Sequence, residues 1–189
     1  MEEKVIYAIL SSKALVSEVG YLPAKQGIYA YFLNSQKDLG KFGKNGDVIY
    51  VGLAEKNLNC RDIKNHLTSG RTGSSSFRRS LGAILKVELG LTAVKRDLNG
   101  SKPRADKYKF IDEGEERLTQ WMNKNLKFGY WVNEPSLPKF ELRSLEAKVI
   151  LAMNPKLDLD RRTRSQNPLA SQLDALRAIC REEVKIKFK

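Results

Sequence analysis

The chain has 189 residues, 41% of them hydrophobic and 30% charged, which is typical of a folded domain with a substantial core. Lysine and arginine outnumber aspartate and glutamate by 34 to 22, so the net charge of +12 favours a polyanionic partner, nucleic acid first. Two separated cysteines and a single histidine exclude a Cys₄ or Cys₂His₂ zinc site and any mechanism that needs two histidines.

Several other classes of protein are excluded by what the sequence lacks. It contains no P-loop and no dinucleotide-binding glycine motif. Its apolar runs are too short for a transmembrane helix, so we expect no membrane contact. Residues 1–20 begin with two glutamates and show no signal-peptide pattern, and we therefore expect a cytoplasmic protein.

The N-terminal part of the chain is predicted to form a helix followed by a β-hairpin. Residues 4–18 have helical spacing of their apolar side chains. Residues 26–33 and 47–53 are rich in Tyr, Ile and Val, and the stretch 34–46 between them contains three glycines and many polar residues. Two such runs around a polar, glycine-containing loop predict a hairpin.

The remaining chain is predicted to alternate helices with short strands. The helices are expected at about 58–69, 76–89, 113–125, 142–154 and 168–182, and the strands at 107–112, 127–132 and the tail 184–189. In the helix from residue 76, Arg78 and Arg79 are expected in the first turn, on the flank away from the apolar stripe. These elements predict an α+β fold with a small, mostly antiparallel sheet flanked by helices.

The basic residues are concentrated in four clusters, and we expect nucleic-acid contacts from Lys64, Arg71, Arg78 and Arg79. Solubilising surface charge is the alternative explanation for any one cluster. The clusters are Arg71, Arg78 and Arg79; Lys95, Arg96, Lys102, Arg104, Lys107 and Lys109; Arg161, Arg162 and Arg164; and Lys185, Lys187 and Lys189.

Four other residues have the chemistry that phosphodiester hydrolysis requires. The reaction needs a general base for water, a cation facing the phosphate and commonly a carboxylate-bound metal. Tyr29 and Tyr50 lie on adjacent predicted strands, Arg61 begins the next helix, and Glu146 lies on a later helix. Glu146 falls within an apolar frame of leucine and valine, so it should be partly desolvated and require a partner or a metal.

These residues also carry a family resemblance. The triplets Gly27-Ile28-Tyr29 and Tyr50-Val51-Gly52 resemble the two signature strands of the GIY-YIG endonuclease family. Arg61 matches the arginine of the family's first helix, and Glu146, followed by a short helix and Pro155, matches its metal-binding glutamate. The resemblance covers residues 26–160 and implies a GIY-YIG nuclease-like fold and a metal-dependent DNA endonuclease.

The resemblance also implies a role for each residue. A signature tyrosine, Tyr29 in preference to Tyr50, would activate water as general base, and Arg61 would contact the scissile phosphate. Glu146 would hold one divalent cation, Mg²⁺ or Mn²⁺, that stabilises the leaving oxygen, and a carboxylate suits such a hard cation. The other tyrosine and His66 would orient the base, the water or the phosphate.

The sequence departs from the family pattern at His66. Many members have a histidine four residues after the arginine, whereas His66 follows Arg61 by five. In a helix the extra residue rotates the side chain to about 140° from the arginine instead of about 40°. Lys64 or Asn65 is the alternative at this place.

A second departure follows Glu146. Members commonly carry an asparagine near the end of the proline-containing turn, and Asp158 occupies that place here. The extra carboxylate would either join the metal site or hinder the approach of a phosphate. Asn154 and Asn167 are possible substitutes for the asparagine.

We expect a single domain over residues 1–189. Within it, 26–90 and 140–160 would form the catalytic core, 91–139 an α/β insertion that enlarges the DNA surface, and 161–189 a C-terminal helix and basic tail. Two alternatives are a non-catalytic nucleic-acid-binding protein and an RNA-directed nuclease. The two departures favour the first alternative, and the intact tyrosine, arginine and glutamate set favours the enzyme, with DNA ahead of RNA.

Overall fold

The structure is a computed structural model that describes residues 1–34, 38–59, 66–96 and 107–186. It has an α+β fold, with a four-stranded antiparallel sheet, a two-stranded sheet and five helices among the described residues. The helices are α1 (Glu2–Ser11), α2 (Ser76–Ile84), α3 (Asp112–Asn125), α4 (Lys139–Met153) and α5 (Ala170–Ile186). The strands are β1 (Ala14–Leu15), β2 (Gly27–Leu33), β3 (Val48–Ala54), β4 (Ala93–Val94), β5 (Lys109–Phe110) and β6 (Leu126–Val132).

The chain divides into two compact units. Unit 1 comprises Met1–Lys64 and Met122–Ala170, and unit 2 comprises Asn65–Trp121 and Ser171–Lys189. The expected single domain and the boundaries of its 91–139 insertion stay predictions. One part of it needs correction, because β6 lies within 91–139 and yet pairs along the whole of β2.

Unit 1 contains the four-stranded sheet, in the order β1-β6-β2-β3. One face of β2 and β3 packs against α1 and α4, through a core that includes Val5, Ile9, Ile28, Ala30, Phe32, Val51, Leu142, Leu145, Val149 and Ile150. The side chains of a strand alternate between faces, so the neighbouring tyrosines of β2 and β3 project from the opposite face. The predicted hairpin is therefore confirmed, and β3 is an edge strand of this sheet.

Unit 2 contains α2, α5, most of α3 and the β4–β5 pair. Helix α2 begins as predicted, with the Ser75 hydroxyl accepting a hydrogen bond from the Arg78 amide. The helix ends at Ile84, and turns continue to Gly90, so the predicted end at residue 89 is wrong.

Two terminal elements also differ from the prediction. Helix α1 ends at Ser11 instead of continuing to 18, because the Ser12 hydroxyl bonds both the carbonyl and the amide of Tyr130 and the chain then pairs with β6. At the other end, the predicted edge strand is helical as far as Ile186. Val184 is buried on the same helical stripe as Cys180, so helical packing overrides the local alternation.

Candidate active site

The two signature tyrosines lie on one face of the β2–β3 hairpin. Tyr31 pairs directly with Tyr50, and Tyr29 pairs with Gly52. A Cβ atom at Gly52 would lie 2.5 Å from the Tyr29 hydroxyl, so the glycine leaves the space in which this phenol rests. Tyr29 is buried against Phe128, and Tyr50 is half-buried. The glycine of the second triplet therefore sets the position of the tyrosine of the first.

Glu146 lies on the inner side of α4 and is paired with an arginine from the loop that follows. Its side chain is 9% exposed, and its Oε2 accepts a hydrogen bond of 2.5 Å from Arg162 Nη2. The same guanidinium binds both carboxylate oxygens of Asp160, at 2.8 Å each. The expectation that a desolvated Glu146 would have a partner is thus met by Arg162.

Asp158 is held against the edge of β3. Its carboxylate accepts a hydrogen bond from the Val51 amide, and its neighbour Leu157 donates a backbone hydrogen bond to the Ile49 carbonyl. Asn167 supports this segment by donating its side-chain amide to the Asp158 carbonyl. The loop after α4 therefore runs along the open edge of the strand that carries Tyr50.

Negative charge accumulates around Tyr50. Burial, followed by the charges of Asp158 and Glu146, raises the pKa of the Tyr50 phenol well above its ordinary value. Burial raises the pKa of Glu146, and Arg162 acts against that rise. Burial also raises the pKa of Asp158 to about 7. The pKa of Asp160 is lowered, chiefly by its hydrogen bond from Arg162. One guanidinium therefore serves two carboxylates, Glu146 and Asp160, and Asp158, which is held by backbone amides, adds a third carboxyl group beside them.

The chemistry of this donor set suits a hard divalent cation, because carboxylate oxygens are the ligands such cations prefer. In the described part of the chain, however, no group of three or more His, Cys, Asp or Glu side chains is arranged to hold a metal ion. A cation here would depend on Glu146 together with water and substrate phosphate, which is a common arrangement for Mg²⁺.

His66 lies in unit 2, where it has a well-defined structural environment. It is 7% exposed, its Nδ1 is 2.6 Å from the Ser75 hydroxyl that caps α2, and its ring meets Phe77 edge-on. Burial, then the charges of Arg78 and Arg79, lowers the pKa of His66 to about 3, so the imidazole is neutral. Arg61 and Lys64, together with residues 60–65 of the predicted helix 58–69, lie outside the described residues.

Arg78 requires a correction, because the expectation that it lies on an exposed flank is wrong. Its side chain is 0% exposed and forms an ion pair of 2.8 Å with Glu115 on α3. The guanidinium also donates to Thr72, to Thr119 and to the carbonyls of His66 and Glu115. A side chain enclosed in this way cannot reach a phosphate, so Arg78 is a structural residue of unit 2.

The other basic residues of this region are accessible to different degrees. Arg71 is exposed, and Arg79 and Arg96 are half-buried. Both half-buried guanidinium groups donate to the Gly73 carbonyl, at 3.0 and 2.9 Å. A Cβ at Gly73 would lie 2.6 Å from Cδ of Arg96, so this glycine allows the arginine to cross the turn. The turn brings two positive charges together.

Sequence reasoning missed the roles of Asp160 and Arg162. Arg162 was one of the clustered basic residues, and Asp160 was not singled out. The available signal was the alternation Asp158, Asp160, Arg162 directly after the proline that ends the glutamate-bearing helix.

The model of the GIY-YIG catalytic domain family matches residues 6–179, so the chain belongs to this family and the predicted resemblance is confirmed. Comparisons with curated proteins and with solved structures gave no match. The family supports a nuclease-type function acting on nucleic acid, and GIY-YIG nucleases generally use divalent metals. No helix in the described ranges is long and apolar enough to cross a membrane.

Proposed function

We propose that the protein is a metal-dependent DNA endonuclease. The observation that carries the proposal is the grouping of Tyr50 with Glu146, Asp158 and Asp160 at the edge of a GIY-YIG hairpin. Surplus carboxylate beside a signature tyrosine is a costly arrangement for a purely structural protein, and it suits a site that receives a cation.

Tyr29 is the general base in this proposal. The raised pKa of Tyr50 disfavours its phenolate near neutral pH, because the phenolate would face two carboxylates in a desolvated place. Tyr50 is then an orienting hydroxyl. Tyr29, whose ring rests over Gly52 on the same face, takes the proton from the attacking water.

Glu146 is the protein ligand of the divalent cation, Mg²⁺ or Mn²⁺. When bound, the cation supplies positive charge to the leaving oxygen. Arg61 neutralises the scissile phosphate from the protein side. His66 has no proton-transfer role in this scheme, because an imidazole with a pKa near 3 is uncharged at neutral pH and is too weak a base to hold a proton taken from water.

DNA binding is supported by the net charge of +12 and by the paired guanidinium groups of Arg79 and Arg96 on the Gly73 turn. Two like charges close together are favourable when a polyanion contacts them. Arg71 adds an exposed charge to the same segment. Arg78, the fully buried member of the sequence cluster, is not part of this proposed surface.

The experiment is a nicking assay on supercoiled plasmid with Mg²⁺ or with a chelator, run beside a single-stranded RNA of matched length. We expect Mg²⁺-dependent nicking of the plasmid and little cleavage of the RNA. Cleavage of RNA alone would establish the RNA-directed alternative. Salt-sensitive DNA binding without cleavage in any divalent metal would establish the non-catalytic alternative.

A further inference from the structure

The guanidinium of Arg162 is fixed from several directions at once. Its Nε and Nη2 donate to the two oxygens of Asp160, and its Nη1 donates to the Arg143 carbonyl. The backbone amide of Arg162 also donates to Asp160, at 2.8 Å. All three guanidinium nitrogens therefore have acceptors other than Glu146. The bidentate contact with Asp160 also fixes the orientation of the guanidinium plane.

The same guanidinium contacts the polar end of Glu146. A glutamate side chain has several rotatable bonds, whereas a metal ligand must present its oxygen in one place. Arg162 Nη2 binds Oε2 of Glu146, and a carboxylate has a second oxygen with further acceptor capacity. Leu142 and Val149, one helical turn before and after Glu146 on α4, are buried core residues that have no polar atom to bind its carboxylate.

The charges of Arg162, Glu146 and Asp160 do not cancel, which favours the binding of a cation. Arg162 carries one positive charge, and Glu146 and Asp160 carry one negative charge each, so the three groups together keep a negative surplus. Because Asp160 and the Arg143 carbonyl anchor the guanidinium, an entering cation has no need to displace it.

We propose that Arg162, anchored by Asp160, is a positioning residue that orients the Glu146 carboxylate for a divalent cation. This inference rests on the proposed function. It assigns a role to two residues that act through Glu146 and do not touch the substrate. The competing possibility is that Arg162 is a counter-ion which the metal must expel, and the two possibilities predict opposite effects on metal affinity.

The test measures Mn²⁺ affinity from water-proton relaxation, with the full-length protein bound to a phosphorothioate DNA duplex that resists cleavage and with the duplex alone subtracted. We expect Arg162→Gln to weaken Mn²⁺ binding about 10- to 100-fold, the usual effect of losing a group that orients a metal ligand. The Mn²⁺ affinity of Arg162→Lys should lie between those of the parent and of Arg162→Gln, because lysine keeps the positive charge but cannot bind both oxygens of a carboxylate with two parallel hydrogen bonds. Arg161→Gln, at an exposed neighbour, is the matched control and should change nothing.

Unchanged or tighter Mn²⁺ binding by Arg162→Gln would overturn the inference. Should that variant fail to fold by circular dichroism, Asp160→Asn replaces it: a several-fold weaker affinity supports the inference, and an unchanged affinity overturns it. Glu146→Gln distinguishes a failure of the positioning role of Arg162 from a failure of the proposed metal site. If Glu146→Gln loses Mn²⁺ and Arg162→Gln keeps it, only the positioning role fails; if Glu146→Gln also keeps Mn²⁺, the proposed metal site itself fails.

Discussion

Each of the two compact units contains a buried glutamate paired with an arginine, and the two pairs differ in how completely their charges are balanced. In unit 2, Glu115 accepts hydrogen bonds from Arg78, Thr72, the Gly70 amide and the Phe110 amide. Neither side chain of the pair is exposed. Both carboxylate oxygens of Glu115 have hydrogen-bond partners, as a buried ion pair requires if it is to stabilise the fold.

The pair in unit 1 is unbalanced by comparison. Arg162 is 38% exposed and serves both Glu146 and Asp160, while Asp158 adds a third carboxyl group nearby. Burial first, and then the neighbouring carboxylates, raises the pKa values of Glu146 and Asp158. The contrast teaches that pairing by itself does not distinguish a structural ion pair from a candidate site; the uncompensated charge around it does.

The largest expected effect is on catalysis by unit 1. Glu146→Gln keeps the size of the side chain and removes the charge that would hold the cation in the proposed mechanism, so single-turnover cleavage should fall by several orders of magnitude. DNA binding should persist, because this carboxylate repels phosphate. The double variant with Asp158→Asn should cleave no worse unless Asp158 is also a ligand. Near-parental cleavage by Glu146→Gln in Mg²⁺ would remove the metal assignment.

Substitutions of Arg61 and His66 should lower the single-turnover cleavage rate by different amounts. Arg61→Ala should lower the single-turnover rate about 10²- to 10³-fold, the usual loss when a group that stabilises transition-state charge is removed. His66→Ala should lower it less than about tenfold, because the neutral ring is bound to the Ser75 cap of α2. Circular dichroism checks that both variants fold. Equal losses would mean that His66 acts directly on the phosphate.

Stability should show the reverse contrast. Arg78→Gln leaves Glu115 buried without its charge partner and should lower the free energy of unfolding by about 3–5 kcal/mol. Arg162→Gln should cost less, because Arg162 is 38% exposed and Glu146, whose pKa burial already raises, can take up a proton when it loses its partner. Urea unfolding followed by circular dichroism measures both. A larger loss from Arg162→Gln than from Arg78→Gln would reverse the structural and functional assignments of the two pairs.

The pH dependence of stability should have opposite signs in the two units. Unfolded histidine takes up a proton near pH 6.5, whereas folded His66 does so near pH 3, so unit 2 should lose stability as the pH falls through that window. Asp158 binds its proton more tightly when folded, up to about pH 7, so unit 1 should lose stability as the pH rises from 3.8 to 7. In each window the free energy of unfolding should change by up to about 1.4 kcal/mol per pH unit.

Tryptophan fluorescence separates the two slopes, because Trp121 lies in unit 2 and Trp131 lies in unit 1. His66→Asn should flatten the slope reported by Trp121 in a Trp131→Phe background. Asp158→Asn should reduce the slope reported by Trp131 in a Trp121→Phe background, and the raised pKa of Glu146 should leave a smaller slope of the same sign. A slope that its own substitution leaves unchanged would contradict the burial assigned to that group.

The smallest effect concerns DNA affinity. Arg79→Gln and Arg96→Gln should each weaken binding to all sequences alike and reduce the slope of log affinity against log salt by about 0.9. Arg117→Gln is the control, since this exposed arginine also donates to backbone carbonyls, those of Leu89 and Gly90. Salt slopes identical to the parent's in both test variants would exclude the Gly73 turn from the DNA surface.

The features of unit 1 that follow local rules could be predicted from the sequence. The hairpin with its tyrosines follows from two β-rich runs around a polar loop, and the partial burial of Glu146 follows from its apolar helical frame. Strand order is a tertiary property, so the central place of β6 in the sheet could not be predicted in this way.

The ion pairs could not be predicted either. Arg78 lies in a helical first turn, and what buries it is Glu115, a residue 37 positions further along the chain. Arg162 was one of several clustered arginines, and only the path of the loop after α4 brings it to Glu146. At Arg78 the distant contact overrides the ordinary preference of arginine for the surface, whereas at Arg162 it fixes the direction of a side chain that stays 38% exposed.

The central claim is that the unbalanced carboxylates of unit 1, and not the balanced pair of unit 2, form the cation site. Anomalous diffraction from crystals of the protein with Mn²⁺ and a phosphorothioate duplex tests it most directly. The account predicts a manganese peak about 2.0–2.2 Å from a Glu146 carboxylate oxygen, at the distance typical of hard six-coordinate cations. A duplex bound in the crystal with manganese only at sites remote from Glu146 would contradict it.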